Sequence, residues 1–324
     1  MRVINVQHPP ITTPEKMYGK INRSIGLLKD LIYMPKAIEN WYAVALYKAG
    51  LKNSLEIKLR DGGRIKIKSR DEFTETLGAC ITRDKLNKFK TRYQISKNRV
   101  VIDEKVVLLY ENELDLNNVL GSTLAFCEVH DRLNQLKCRN KVVIDIGAYI
   151  GDTAMWFALH GAKHVIALEP YPKCHKKLCD NIAASEMQDK ITAINAALGQ
   201  TDGIIKLDPQ YQSKAGSDIK QSENGIDIPT ISLDTLAKKY EIENGVLKSN
   251  SEGGEYAILN CRKDTIRKFE SIFIDYHYGC KPLVKFLKNC GFKVKYTTPI
   301  YFIDNAAIDK NMYMGVIWAE RQNM

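Results

Sequence analysis

The chain has 324 residues, of which 44% are hydrophobic and 27% are charged, fractions that are typical of a globular protein and not of a disordered or fibrous one. No uninterrupted apolar run approaches the roughly 20 residues that span a bilayer, and the N-terminus lacks the apolar core of a secretory signal. Eight scattered cysteines form no CxxC pair and no metal-ligand pattern. These features predict a cytoplasmic protein with reduced thiols, and the length predicts two domains or one large domain with an appendage.

The net charge of +10 is concentrated in the first part of the chain. Residues 48–99 contain 15 Lys and Arg against 6 Asp and Glu, whereas residues 141–324 contain 23 against 22. The basic region could face nucleic acid, an anionic lipid surface or a phosphorylated substrate. It could equally be a solvated face without a partner.

Local patterns predict helices and hairpins in this first part. Apolar residues at helical spacing cover residues 14–50. The run "SLEIKLRDGGRIKIKS" alternates apolar and polar residues around Asp61-Gly62-Gly63, which predicts a β-hairpin. The run "RVVIDEKVVLLY" predicts a second hairpin or strand pair around Asp103-Glu104. We therefore expect an α+β N-terminal accessory region over residues 1–120.

From Lys141 onward, strands alternate with helices. Core strands are predicted in "KVVIDIG", "HVIALEP", "ITAINAA", "GVLKSN" and "SIFIDYH", and the strands "FKVKYT" and "MYMGVIWAE" end the chain as an antiparallel hairpin. The runs "GIIKLD" and "GIDIPTISL" predict a strand pair, after which Ser232 would cap a helix. The alternation predicts an α/β fold over residues 121–324, with a doubly wound, seven-stranded, mostly parallel Rossmann-like sheet.

A glycine loop follows the first of these strands, where an open α/β sheet binds its ligand. It lacks the middle glycine of the dinucleotide-binding pattern and has an acid at each end. Carboxylates beside such a loop repel a pyrophosphate but suit a ligand that carries an ammonium and a sulfonium. The residues of this loop are Asp145, Gly147, Ala148, Tyr149, Gly151 and Asp152.

The ends of the second and third strands complete a predicted S-adenosylmethionine site. Glu169 in "ALEP", followed by Pro170, lies 24 residues after Asp145, the spacing of a carboxylate that accepts hydrogen bonds from ribose hydroxyls. Asn195 and Ala196, after the third strand, would flank the adenine. S-adenosyl-L-methionine is therefore the expected cofactor, and no metal site is expected.

Candidate catalytic residues lie at the ends of the fourth and fifth strands. His277 could act as a general base or could be a hydrogen-bonded structural histidine. Glu252 is expected to orient the substrate or the cofactor, and Glu255 to begin a helix. Asn250 cannot accept a proton, so it can only form hydrogen bonds.

Several of these runs resemble a known family. The stretches "VVIDIGAYIGDTAMWFALHGAKHVIALEP", "ISLDTL", "VLKSNSEGGEYAIL" and "SIFIDYHYG" are similar to the FkbM-type S-adenosylmethionine-dependent methyltransferases, over roughly Leu124 to Glu320. The resemblance implies a class I methyltransferase sheet and O-methylation of a hydroxyl on a sugar, glycan or secondary metabolite. One position departs from the family pattern, because Asn250 stands where an Asp is usual.

Three functions remain open from the sequence. The leading one is O-methylation of a hydroxyl on a sugar, glycan or small metabolite. A nucleic-acid methyltransferase that uses the basic region is less favoured, because the fourth strand lacks an [Asn/Asp]-Pro-Pro-aromatic signature. The third is a module that binds the cofactor without catalysis, which Asn250 suggests. The acceptor pocket is expected in the N-terminal region and around Tyr211–Asn224.

Overall fold

The computed structural model describes residues 34–60, 62, 64–67, 73, 77, 80, 93–112, 115–116, 119–120, 122, 133, 135–209, 222–297, 300–301 and 313–322. The chain divides into two compact units, Ser24–Arg132 and a second unit that includes Leu133–Met324. The predicted boundary between an accessory region, 1–120, and a methyltransferase domain, 121–324, stays a prediction.

The smaller unit contains both predicted hairpins. Its elements are α1 (Trp41–Lys48), β1 (Leu55–Lys58), β2 (Arg64–Ile67), β3 (Tyr93–Ser96), β4 (Arg99–Ile102) and β5 (Val106–Leu109). Strands β1 and β2 pair antiparallel, as do β4 and β5, which confirms the two hairpins. Asp103 and Glu104 adopt positive φ angles of 48° and 61°, as the tight turn between β4 and β5 requires. The part of the predicted helical region before residue 34 lies outside the described residues.

The larger unit alternates strands and helices as the sequence predicts. Its strands are β6 (Val142–Ile146), β7 (His164–Leu168), β8 (Ile191–Ile194), β9 (Ala197–Gly199), β10 (Gly203–Leu207), β11 (Ile226–Ser232), β12 (Gly245–Ser249), β13 (Phe269–Tyr276), β14 (Phe292–Tyr296), β15 (Ile300–Tyr301) and β16 (Tyr313–Arg321). Its α-helices are α2 (Asp152–Leu159), α3 (Pro172–Ala184), α4 (Leu233–Lys239), α5 (Lys263–Ile266) and α6 (Lys281–Asn289), and a 3₁₀ helix covers Gly254–Asn260.

The main sheet has the strand order β14-β16-β13-β12-β6-β7-β8. The five strands from β13 to β8 in this order run parallel, and β16 runs antiparallel to both β13 and β14. Strand β12 is buried along its whole length, and β6 and β7 are buried beyond their first residues, because helices cover both faces of the sheet. The doubly wound, mostly parallel sheet with antiparallel C-terminal strands is confirmed.

The predicted third strand is wrong in one respect. The run "ITAINAA" does not continue as one strand but splits into β8 in the main sheet and β9 in a second sheet, where β9 pairs with β11. Asn195 lies between them and donates from its Nδ2 to the backbone carbonyls of Glu169 and Pro170, which fixes the turn of the chain at this edge. The predicted pairing of β10 with β11 and the Ser232 cap, whose Oγ accepts from Thr235 N, are confirmed.

The point where the strand order reverses lies between β6 and β12. From β6 the chain proceeds outward to β7 and β8, then returns to place β12 and β13 on the other side of β6. Ligands of open α/β sheets bind in the crevice outside the carboxyl ends of the strands at this point. Within the described part of the chain, every helix is too short or too polar to cross a bilayer.

Candidate active site

The loop after β6 is held tightly against its neighbours. The backbone N–H groups of Gly147 and Ala148 both donate to the carbonyl of Leu168, at 3.0 and 2.9 Å. Gly147 has a φ of 72°, and a Cβ at this position would lie 1.8 Å from the carbonyl oxygen of Asn250. Only glycine therefore permits the ends of β6 and β12 to approach this closely. Gly151, with a φ of 92°, ends the loop as the N-cap of α2.

Glu169 joins this loop to the end of β7. Its side chain accepts from the backbone N–H of Tyr149 at 2.9 Å and from that of Tyr171 at 3.0 Å. The residue is only 5% exposed, and burial raises the pKa of its carboxyl to about 7 although the two N–H groups favour the ionised form. Ala196, at the same edge of the sheet, is buried as well.

A buried ion pair lies beneath the loop. Asp145 is fully buried, and its Oδ1 lies 2.8 Å from the Nζ of Lys248 on the adjacent strand β12. The hydroxyl of Thr153 donates to Oδ2 of Asp145 at 2.6 Å. The same Lys248 ammonium donates to the carbonyl of Gly147 at 3.2 Å. The sequence analysis missed Lys248, although a lysine within the apolar run of a core strand is a signal that could have identified it.

Two further acceptors lie at the two ends of the loop. Asp152, the first residue of α2, is 9% exposed, and burial raises the pKa of its carboxyl to about 7 although Lys248 opposes the shift. Asn250, directly after β12, donates its backbone N–H to the carbonyl of Ile146 at 2.9 Å. Its side-chain Oδ1 is buried and has no hydrogen-bond partner within the described part of the chain. A ligand with N–H donors would satisfy this oxygen.

A second group of charges connects the ends of β12 and β13. The Nδ1 of His277 lies 3.0 Å from Oε1 of Glu255, and its Nε2 lies 3.1 Å from Oε2 of Glu252. His277 and Glu255 are fully buried, whereas the side chain of Glu252 is 17% exposed. We call these three residues the Glu-His-Glu cluster. Glu252 is therefore the member of the cluster that keeps solvent access.

The Glu-His-Glu cluster holds a protonated imidazole between two carboxylates. Burial opposes the charge on His277, but Glu252 and Glu255 together outweigh it and raise the pKa of the imidazole well above its usual range. Burial also opposes the ionised form of Glu255, but His277 outweighs it and holds the pKa of this carboxyl below its usual range. Glu255 further accepts from the backbone N–H groups of Gly253 and His277, each at 2.8 Å. His277 and Glu255 therefore form a buried ion pair.

The structure brings the predicted site residues together at one edge of the main sheet. Asp145 lies near the end of β6, and the other loop residues follow that strand. Glu169 and Asn195 follow β7 and β8, and Asn250, Glu252 and His277 follow β12 and β13. Glu255 lies in the 3₁₀ helix, as expected, but its principal partner is His277. Of the stretch predicted to contribute to the acceptor pocket, residues 210–221 lie outside the described residues.

Parts of this chain are similar to one protein family and to several solved structures. Residues 145–294 match the family model described as "Methyltransferase FkbM domain". No curated protein matches the chain. Among solved structures, the METTL16 MTase domain (crystal form 2) is 17% identical, with 81% of this chain and 84% of that chain covered and a TM-score of 0.42. For precorrin-6y C5,15-methyltransferase from Geobacter metallireducens GS-15, the identity is 15%, the coverages are 60% and 88%, and the TM-score is 0.36.

The sheet order, with a glycine loop at its switch point, is that of a class I methyltransferase fold. Residues 145–294 are similar to the FkbM methyltransferase domains that this family model describes. The protein is therefore a methyltransferase that uses S-adenosylmethionine.

Proposed function

We propose that this protein transfers a methyl group to a hydroxyl of a sugar, glycan or small metabolite. The observation that supports this most directly is the Glu-His-Glu cluster, in which Glu252, shortly after the end of β12, is the member that keeps solvent access. A hydroxyl nucleophile loses its proton during methyl transfer, and a positioned carboxylate can accept that proton. The end of β12 and the residues after it, Ser249-Asn250-Ser251-Glu252, contain an acid and lack the [Asn/Asp]-Pro-Pro-aromatic signature.

The residues around the glycine loop fit the cofactor. Three buried or nearly buried carboxylates, Asp145, Asp152 and Glu169, surround one ammonium, that of Lys248, so the site has excess negative charge. The cofactor carries an ammonium and a sulfonium against one carboxylate, and this net positive charge complements the site. We assign Glu169 to the ribose hydroxyls, and the segment Asn195-Ala196 to the adenine. When bound, the cofactor supplies an electrophilic methyl group on sulfur.

The residues of the protein bind the reactants, orient them and accept the proton. The glycine loop and Glu169 hold one reactant, so that the acceptor hydroxyl can be aligned in line with the methyl group. Glu252 accepts the hydroxyl proton at its carboxylate. His277 has a carboxylate at each of its ring nitrogens, so we assign it the role of orienting Glu252. Asn250 cannot take a proton, so its amide can only form hydrogen bonds to a bound ligand.

The test is the fate of a labelled methyl group. Purified protein is incubated with methyl-labelled S-adenosylmethionine and, separately, with polyols and oligosaccharides, small phenolic and alcoholic metabolites, and total RNA. We expect label in a product that survives alkaline hydrolysis, since an ether is stable to base and a methyl ester is not. Label that appears only in RNA and is released by nuclease would contradict the proposal and support the nucleic-acid alternative. Cofactor binding without any transfer would support the module that binds without catalysis.

Glu169→Ala should weaken cofactor binding by about 1–3 kcal/mol, because the ribose hydroxyls would lose a buried acceptor. The two backbone N–H groups that now bond to Glu169 would also lose their partner, and this loosens the loop. Isothermal titration with S-adenosylhomocysteine measures the effect. Glu186→Ala is a suitable control, because Glu186 lies on the surface of the same unit. An unchanged affinity in Glu169→Ala would show that the ribose lies elsewhere.

Cofactor affinity should increase as the pH rises from about 6 to about 7.5. Asp152 and Glu169 have pKa values raised to about 7, and a cationic ligand favours their ionised forms, so binding releases protons in this range. The raised pKa values of these two groups also lower the stability of the ligand-free protein as the pH rises from about 4 to about 7. In this range the folded chain retains protons that the unfolded chain has lost. Titration in buffers of different ionisation enthalpy measures the proton release. S-adenosylhomocysteine, which lacks the sulfonium charge, should release fewer protons, and an affinity independent of pH would contradict the prediction.

A further inference from the structure

We propose that the smaller unit binds the surface of an anionic lipid bilayer through the outer face of α1. This surface, which we call the α1 apolar face, consists of Trp41, Tyr42, Leu46 and Leu51. Leu51 follows three residues after the end of the helix. The face lies outside residues 145–294, and the inference is independent of the methyl acceptor proposed above.

Helix α1 is apolar on two opposite sides. Seven of its eight residues are aliphatic or aromatic, and only Lys48 is charged. Ala43, Val44 and Tyr47 are buried and belong to the hydrophobic core of the smaller unit. In a helix that packs on a core with one side only, the opposite side carries charged and polar residues. In α1 that opposite side is the α1 apolar face, so the helix has a second side that is suited to an apolar environment.

The α1 apolar face gathers most of the exposed hydrophobic side chains. Among the described residues, six large hydrophobic side chains are exposed, and four of them belong to this face. Their exposed fractions are 39% for Trp41, 61% for Tyr42, 44% for Leu46 and 77% for Leu51. Exposed hydrophobic residues that occur singly need no explanation, whereas a group of them on one surface indicates an interaction site.

The charges beside the α1 apolar face favour an anionic surface. Lys48 and Lys52 are exposed, and residues 40–54 contain no Asp or Glu. Residues 48–99 contain 15 Lys and Arg against 6 Asp and Glu, which is an excess of nine positive charges. Anionic lipids attract such a region, and Trp and Tyr favour the level of the headgroups, where aliphatic side chains reach the acyl chains. The face therefore combines the two contributions that hold a protein on a bilayer surface.

Two other occupants fit this surface less well. In a symmetric dimer the same patch lies on both subunits, so Lys48 and Lys52 would meet a surface without a carboxylate. A nucleic acid would find bases to stack on Trp41 and Tyr42 but not on the aliphatic side chains of the face. The bilayer is the occupant that uses the aliphatic, aromatic and basic side chains together.

The first experiment measures binding of the whole chain to vesicles by sedimentation. We expect binding to vesicles of phosphatidylcholine with phosphatidylglycerol, weaker binding to phosphatidylcholine alone, and a decrease as salt is added. Leu46→Gln/Leu51→Gln should lower the partition coefficient about 10-fold or more, because it removes two aliphatic side chains from the bilayer. Both side chains are exposed, so circular dichroism should be unchanged.

Ile95→Gln is the matched control, because Ile95 is an exposed aliphatic residue of the same unit that lies on β3. Its partition coefficient should stay within about twofold of that of the unaltered protein. Failure of the unaltered protein to bind the anionic vesicles would overturn the inference. So would binding that the Leu46→Gln/Leu51→Gln variant retains in full.

The second experiment uses the fluorescence of Trp41. Of the three tryptophans, Trp156 is buried and Trp318 is half-buried, whereas Trp41 belongs to the α1 apolar face. Anionic vesicles should therefore shift the emission to shorter wavelength, and lipids with a quencher in the acyl chain should reduce it. Trp41→Phe should abolish the shift and keep most of the binding, since phenylalanine is still apolar. A shift that persists in Trp41→Phe would contradict the inference.

The third experiment tests the other occupants with the same variants. Analytical ultracentrifugation compares the oligomeric state of the unaltered protein with that of Leu46→Gln/Leu51→Gln, and fluorescence polarisation compares their binding to labelled RNA. We expect both properties to be the same in the two proteins. A dimer that the substitutions abolish would assign the α1 apolar face to a second copy of the chain. RNA binding that they abolish would assign it to nucleic acid, and either result would overturn the inference.

Discussion

Replacing Glu252 with glutamine should lower kcat for methyl transfer by about 10²- to 10⁴-fold, the usual contribution of a positioned base. Glutamine keeps the size of the side chain and an oxygen that can face His277, but it cannot accept a proton from the acceptor hydroxyl. The affinity for S-adenosylhomocysteine should stay the same, because no cofactor contact is assigned to Glu252. Single-turnover transfer from labelled cofactor measures the rate, and titration measures the binding.

Glu241→Gln is the matched control for this substitution. Glu241 has a φ of 48° and Glu252 a φ of 49°, so both glutamates have the same left-handed backbone. Glu241 is exposed and lies before β12, away from the edge of the sheet that carries the loop. Its replacement should leave both rate and binding unchanged. A Glu252→Gln variant that retained its rate within about threefold would show that the acceptor proton goes to another group.

Gly147→Ala should be the most disruptive small substitution in the larger unit. A φ of 72° is strained for alanine, which costs about 1–3 kcal/mol, and the steric overlap adds about 1–3 kcal/mol. The added Cβ would meet only backbone, with the carbonyl oxygen of Asn250 at 1.8 Å and its carbon at 2.7 Å, so no side chain can move aside. The ends of β6 and β12 would have to separate. We therefore expect lower stability in urea and the loss of cofactor binding.

Gly161→Ala is the control that separates backbone strain from steric overlap. Gly161 belongs to the same unit and has a φ of 87°, but the nearest atom to its added Cβ is Cγ of Arg139 at an ordinary 3.5 Å. Its replacement should show the backbone strain alone, about 1–3 kcal/mol, with cofactor binding retained. Equal losses of stability and of binding in the two variants would contradict the close contact between β6 and β12.

Much of the fold could be predicted because it depends on local periodicity. Unbroken apolar runs identify β6, β7, β12 and β13, since strands covered on both faces do not alternate. The hairpins follow from alternation around turn residues, and the α4 cap from Ser232. The break between β8 and β9 could not be predicted, because the hydrogen bonds of Asn195 that fix it go to residues 25 and 26 positions earlier.

The candidate site, like the fold, could be predicted only in part from the sequence. Positions after the strand ends were predictable, since parallel strands place their carboxyl ends at one edge. The partner of each charged side chain could not be predicted from the sequence. Lys248 is separated from the Gly147 carbonyl it contacts by 101 residues, and His277 from Glu255 by 22. A histidine that the sequence leaves open as base or structural group therefore acquires two carboxylate neighbours only in the folded chain.

The sequence by itself determined the alternation of strands and helices, the glycine loop with its acids, and hence the class of methyltransferase. Each of these depends on residues close together in the chain. Only the tertiary structure decided that Asp145 pairs with Lys248, and that Glu252 is the exposed member of the Glu-His-Glu cluster. The physical reason is that ion pairing across a parallel sheet depends on the register of strands far apart in sequence, and burial then determines which carboxylates keep a charge.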